Sequence, residues 1–166
     1  MSRYRLILCA WLGLWFPALG WAQSPPYPAD LSLLTLFDTH DRVIDTLTLA
    51  DLEALPGHQV RGPIPDNDYP ESTWYGVSIR ALLEHEHLLR PHSMVAAALN
   101  DYSETIPDAD LTRYDPIIAY RRDGDFIPFG EYGPLIVMYP YGEHPELHTR
   151  TYYNRTVWQL SELHLK

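Results

Sequence analysis

Cysteine is all but missing from these 166 residues: the chain has one, Cys9, inside an apolar stretch close to the start. Positive charge is also scarce, with 12 Lys and Arg against 22 Asp and Glu. Gly-x-Ser-x-Gly is absent, so the sequence offers no nucleophile elbow. The glycine-dense stretch Gly130-Glu-Tyr-Gly133 has no lysine after it, which removes a phosphate loop. Neither histidine cluster matches the zincin arrangement, two histidines on one helical face with a glutamate between. Sequence repeats are absent as well.

The first 22 residues read as a leader rather than as fold. Arg3 and Arg5 precede an apolar run, Leu6 to Phe16, that is too short to span a bilayer. Gly20 and Ala22 then suit a signal peptidase, which leaves Gln23 as the new N-terminus. Cys9 lacks the small residues before it that a lipid-anchor site needs. Cleavage removes the only cysteine, so the mature chain can form no disulfide and can offer no thiolate to a metal. It also removes Arg3 and Arg5, which takes the formal charge from −10 to −12. A surface that acidic repels nucleic acid and anionic lipid. The expectation is one exported, periplasmic domain over residues 31–166, preceded by an extended, mobile lead over 23–30 and carrying no membrane span once the signal is cleaved. A chain of this length buries roughly two-thirds of its unfolded surface, enough for one core.

The pattern along the chain predicts an α+β fold, rich in strands, with short helices. Leu31–Phe37 and Val43–Leu49 read as a hairpin, followed by a short helix over Ala50–Leu55 and a short strand over His58–Arg61. Gly62–Thr73, with three prolines, reads as a loop. Ser78 caps a helix expected to run from Ile79 to about Leu89. Met94–Leu99 reads as a central strand. Asp108 is expected to cap one or two helical turns ending at Tyr114. Ile117–Arg121 and Phe126–Phe129 flank Asp123-Gly124, a strong hairpin signal. Leu135–Tyr139 reads as a second central strand. Thr151–Leu165 reads as a helical turn and a last strand.

Eight histidines raise the question of a metal. His85 and His87 are two apart and so diverge on a helix, and Pro145 separates His144 from His148. Solvated surface histidine is the expectation. The bend Asn100-Asp101-Tyr102-Ser103 is the more promising feature. It either makes a plain turn with Tyr102 packed on the core, or presents a phenol at the edge of a cleft.

The segments "VSIRALLE", "ALNDYSETIPDADL", "DPIIAYRRDGDFIP", "GPLIVMYP" and "NRTVWQL", in that order, resemble the oxidoreductase molybdopterin-binding domain. This is the central domain of sulfite oxidases and related molybdenum enzymes. The likeness covers about residues 47–166. It implies a mixed α+β, sulfite-oxidase-like fold with a cofactor cleft lined by loops. In that family the tyrosine of a Tyr-x-x-x-(Ile/Leu)-Pro stretch reaches the active site, and Tyr102 matches it. A basic residue near the last strand contacts the pterin, and Arg155 is the nearest match. The resemblance therefore implies molybdopterin as a cofactor and a cleft lined by Asn100, Tyr102 and Arg155.

Two departures stand beside it. The family holds molybdenum with a cysteine in the loop before "GVSIRALLE", and "QVRGPIPDNDYPESTWYGVSIR" has none. An oxygen ligand in its place would come from Asp66, Asp68 or Tyr69. The lysine common after the Arg155 position is Trp158 or Gln159 here. Independently of the resemblance, Ser2-Arg3-Tyr4-Arg5 is not a twin-arginine signal, so the expectation is a chain exported unfolded by a Sec-type route, before any pterin is loaded. The expected function is a binding module for a small ligand or for a periplasmic or membrane protein partner, without a molybdenum centre. The alternative is a molybdopterin-dependent oxidoreductase with non-cysteine ligation, in which Tyr102 is catalytic.

Overall fold

The computed structural model describes residues 24–64, 71–88 and 90–166. The strands are β1 (Ser32–Phe37), β2 (Val43–Thr48), β3 (Gly57–Gly62), β4 (Ser72–Ser78), β5 (Ser93–Ala98), β6 (Ser103–Pro107), β7 (Ile117–Arg122), β8 (Asp125–Phe126), β9 (Ile136–Met138) and β10 (Leu160–Leu165). The helices are α1 (Leu49–Glu53), α2 (Ile79–His85), α3 (Asp108–Arg113) and α4 (Arg150–Arg155), with a 3₁₀ turn at Pro145–Leu147. The strands form two sheets. One runs β2-β1-β10-β5-β6; the other runs β3-β4-β7-β8, with β9 also paired to β7. This is the α+β, strand-rich architecture expected from the sequence.

In the first sheet, β5 follows a period-two pattern. Met94, Ala96 and Ala98 of β5 are buried, while Val95 and Ala97 are half-buried. The last strand, β10, lies between β5 and β1, antiparallel to the first and parallel to the second. Chain ends far apart in sequence thus share one sheet. The Asp123-Gly124 turn forms as predicted, with positive φ at both residues (51° and 95°). Its second strand is shorter than expected. Ile127 still donates to the Tyr120 carbonyl, but Pro128 has no N–H to continue the ladder.

Helices α1 and α2 lie against β4, and α3 and α4 lie against β6. Thr48 and Asp51 form a reciprocal capping box on α1. Ser78 caps α2 as expected, accepting from the Ala81 N–H, and α2 buries Ile79, Leu82 and Leu83. Each of those side chains contributes about 2 kcal/mol by leaving water. The helix stops at His85, short of Leu89, because His87 turns to φ 54° and the Leu88 N–H reaches back to the Leu83 carbonyl. Asp108 does not cap α3. Pro107 occupies the cap position, and the Asp108 carboxylate instead accepts from Arg90 at 2.6 Å.

Two further expectations differ from the structure. Strand β4 begins inside the stretch whose prolines signal a loop, and is an interior strand paired to β3 and β7. The segment before Leu31 is not wholly loose: Tyr27 is 7% exposed and sets its ring edge-on to Phe126 and Phe129. Asp66, Asp68 and Tyr69, the oxygen ligands considered above, lie outside the described residues, as does the leader. No helix among the described residues is long and apolar enough to cross a membrane.

Gly76 shows why β4 tolerates little change. The β4–β7 register shifts between Tyr75 and Gly76, and a Cβ on Gly76 would collide with the Ile118 carbonyl and lie 2.6 Å from the Ala119 Cα. Those are backbone atoms of the next strand and have nowhere to go. Gly130, by contrast, has nothing near its missing Cβ. Gly76→Ala is expected to cost about 3 kcal/mol or more in urea unfolding, and Gly130→Ala within about 0.5 kcal/mol of zero. Equal effects would contradict the close strand approach.

Candidate functional site

A cavity of about 280 Å³ opens where the β5–β6 bend meets α4. Each wall comes from a different stretch of chain. Asn100 and Tyr102 come from the bend, Ile64 from the segment after β3, and Tyr132 from the loop before β9. Arg150, Tyr153 and Asn154 come from α4, with Thr156 and Trp158 just after it.

The bend resolves into both of its possible roles. Asn100 makes the turn: its side-chain oxygen accepts from the Tyr102 N–H at 3.1 Å, and Asp101 takes φ 65°. The same residues reach the cavity. Tyr102 is not packed on the core but 40% exposed, and its hydroxyl donates to the Asn154 carbonyl at 3.0 Å. That bond ties the β5–β6 bend to α4 across the mouth. Partial burial first, then the negative charge of Glu104, pushes the Tyr102 phenol above its ordinary value against the opposing pull of Arg150. The group therefore stays a proton donor at neutral pH.

Gln159 fixes the far wall. With φ 52°, its N–H donates to the Tyr132 carbonyl, its carbonyl accepts from the Leu99 N–H, and its side-chain amide donates to the Phe129 carbonyl. Three loops are tied together by one residue. Trp158 beside it is 39% exposed and meets Tyr132 edge to face, ring centroids 5.7 Å apart.

Arg155 is placed differently from Asn100 and Tyr102. It lies next to Asn154 and Thr156 in sequence, yet it is not among the residues lining the cavity. Each helical residue rotates by about 100°, and Arg155 faces the interior. Its Nη1 donates to Asp110 Oδ2 at 2.9 Å, and Asp110 is 4% exposed. The same carboxylate oxygen accepts from the Tyr139 hydroxyl at 2.7 Å. Close by, the Tyr141 hydroxyl donates to the Tyr152 carbonyl and shares a 2.6 Å hydrogen bond with the Thr156 hydroxyl. These bonds hold the inner face of α4, and so set where its outer face meets the cavity.

The cavity has the donor set of an anion or ring site. Among the described residues its lining carries aromatic rings, neutral amides, one hydroxyl of threonine and the guanidinium of Arg150, with no thiolate, carboxylate or imidazole. Among the described residues no group of three or more His, Cys, Asp or Glu could hold a metal ion. His85, His87 and His92 are exposed, as expected. His144 and His148 instead pack against Tyr114 and Tyr141. These residues do not fit a molybdenum centre of the family's usual kind, which needs a thiolate ligand. Arg150, Tyr132 and Tyr153 carried no sequence signal as site residues, because only the fold brings their segments together.

No family model and no curated protein matches this chain. Among solved structures, the fold is similar to that of the sulfane dehydrogenase SoxCD from Paracoccus pantotrophus, with a TM-score of 0.59 over 80% of this chain and 14% identity. This chain spans 37% of the length of that one. At such low identity the likeness is one of fold alone.

The buried Arg155–Asp110 pair generates a stability prediction. Arg155→Met leaves a buried carboxylate with Tyr139 as its remaining partner and is expected to cost about 3 kcal/mol in urea unfolding. A loss below about 1 kcal/mol, the range of a surface pair, would contradict the burial. Alkali provides a second check. Burial pushes the Tyr139 and Tyr141 phenols well up, with Asp110 adding to the effect at Tyr139. Above the ordinary value of 10 a raised phenol works against the folded protein, because the fold excludes the anion that the unfolded chain gains by forming. The unfolded chain ionises there first, so stability should be flat below pH 10 and fall above it. Absorbance titration should show these phenols ionising only together with unfolding; tyrosinate formation by all of them in the folded state would contradict it.

Proposed function

We propose that this chain is a ligand-binding module that takes a small, flat, anionic organic molecule into the cavity between the β5–β6 bend and α4. The lining is the observation that carries this reading: among the described residues it has rings on several sides, the guanidinium of Arg150 and no group that ligates a soft metal. Arg150 would meet the ligand's carboxylate or phosphate, with Asn100 and Tyr102 beside it. Tyr132, Tyr153 and Trp158 would flank its ring. A volume of about 280 Å³ admits one fused ring system and its acidic group. The sequence supports an exported protein, cleaved near Gln23 and working in the periplasm. Bound ligand would then be reported to a membrane sensor or a redox enzyme.

A second reading keeps the chain as a molybdopterin-dependent oxidoreductase. The fold likeness to a sulfane dehydrogenase favours it. The donor set among the described lining residues does not.

Titration of the tryptophan fluorescence with pterin-6-carboxylate, against the same pterin without its carboxylate, tests the proposal. The acid should bind more tightly, and Arg150→Gln should weaken it about tenfold or more while leaving the uncharged analogue unmoved. Trp158→Leu should weaken both. An anion affinity indifferent to Arg150, or no binding by either compound or by a panel of flat heteroaromatic acids, would contradict it.

A further inference from the structure

Twelve tyrosines are many for this length, and five of them form one string. Tyr114 lies under the surface beneath the Arg113 guanidinium, 5.0 Å from it. From there the ring centroids step 5.4 Å to Tyr152, 5.6 Å to Tyr139, 6.3 Å to Tyr141 and 5.7 Å to Tyr153. Tyr153 lines the cavity. The string therefore runs from the surface through the core to the candidate ligand site.

Its hydrogen bonds are as informative as its spacing. A phenol loses an electron easily only if its proton has somewhere to go, because the oxidised phenol is a strong acid. Tyr139, fully buried, donates its hydrogen to the Asp110 carboxylate at 2.7 Å. At the cavity end, His148 Nε2 lies 3.2 Å from the Tyr141 carbonyl, and Nδ1 lies 3.1 Å from the Tyr153 hydroxyl. A carbonyl can only accept, so the ring hydrogen sits on Nε2 and Nδ1 accepts from Tyr153. Two members of the string thus have a base at hydrogen-bonding distance. A buried hydroxyl needs some partner; that the partners here are a carboxylate and an imidazole nitrogen gives each phenol's proton a place to go.

We propose that this string carries single oxidising equivalents between the surface at Tyr114 and the cavity. A one-electron oxidant takes an electron from Tyr139 by way of Tyr152 and Tyr114. The Tyr139 O–H bond breaks, its proton moves to Asp110 Oδ2, and a neutral tyrosyl radical faces a carboxylic acid. An electron from Tyr153, passed through Tyr141, then refills Tyr139. The Asp110 proton returns to Tyr139, and the Tyr153 proton moves to His148 Nδ1. The net change is one electron out to the oxidant and one neutral radical at the cavity wall, positioned to oxidise what is bound there. The relay does not require any particular ligand, so it can stand where the titration above fails.

The test is photo-oxidation of the full chain with ruthenium tris-bipyridine and persulfate, followed by transient absorption and electron paramagnetic resonance. The wild type should give a neutral tyrosyl radical, and Tyr139→Phe should shorten its lifetime at least tenfold. Tyr152→Phe, which opens the string near its surface end, should lower the yield severalfold. Tyr75→Phe, an exposed ring outside the string, should change neither. Unchanged lifetime and yield in a folded Tyr139→Phe protein would overturn the proposal. A measurement on the wild type covers the case of a variant that does not fold: electron–nuclear double resonance should show a deuterium-exchangeable proton hydrogen-bonded to the radical oxygen, and a radical without one would overturn the proposal equally.

Discussion

The Arg155–Asp110 contact is the constraint on which the functional architecture depends. It joins the last helix to α3, two elements more than 40 residues apart in sequence, inside a mostly buried setting (side chains 19% and 6% exposed). Burying both charges is costly unless they satisfy each other and have further hydrogen bonds. Tyr139 supplies one to the carboxylate. Helix α4 has only six residues and no side-chain cap, so it has little stability of its own. What fixes it is this pair and the Tyr141–Thr156 contact on the same side. With its inner face committed to the core, the helix presents Arg150, Tyr153 and Asn154 to the cavity.

That division separates two positive charges five residues apart into two tasks. Arg155 is structural, held against a carboxylate; Arg150 faces the cavity. The flat anion proposed above matches the rings and the guanidinium of the described lining, which includes no sulfur ligand. The fold similarity to a sulfane dehydrogenase and the chemistry of the lining are compatible on these terms, because folds carry many functions and sites decide among them. The tyrosine string adds a redox element to the same interior without calling on a metal.

Much of the frame was legible in the sequence. Met94 to Ala98 alternates as an interior strand must, Asp123-Gly124 dictates its turn, and Ser78 caps its helix. Strand β4 was not legible, because Gly76 interrupts its apolar run and the preceding prolines extend the loop signal; the glycine is there for close strand approach, not for a turn. Half of the candidate site could be read from the bend at Asn100 and Tyr102, whose polar residues follow a buried strand. The other half could not. Tyr132 and Trp158 meet only through the bonds of Gln159, which no local pattern announces. Arg155 was the natural choice for a basic site residue by position, and one residue of helical rotation separates it from the residues that line the cavity.

Elemental analysis of the protein purified from its own cells addresses the central claim most directly. A cavity lined by rings and one guanidinium, with no sulfur ligand, should come out with molybdenum far below stoichiometric. Stoichiometric molybdenum that survives gel filtration would contradict the account and favour a metal held by non-cysteine ligands.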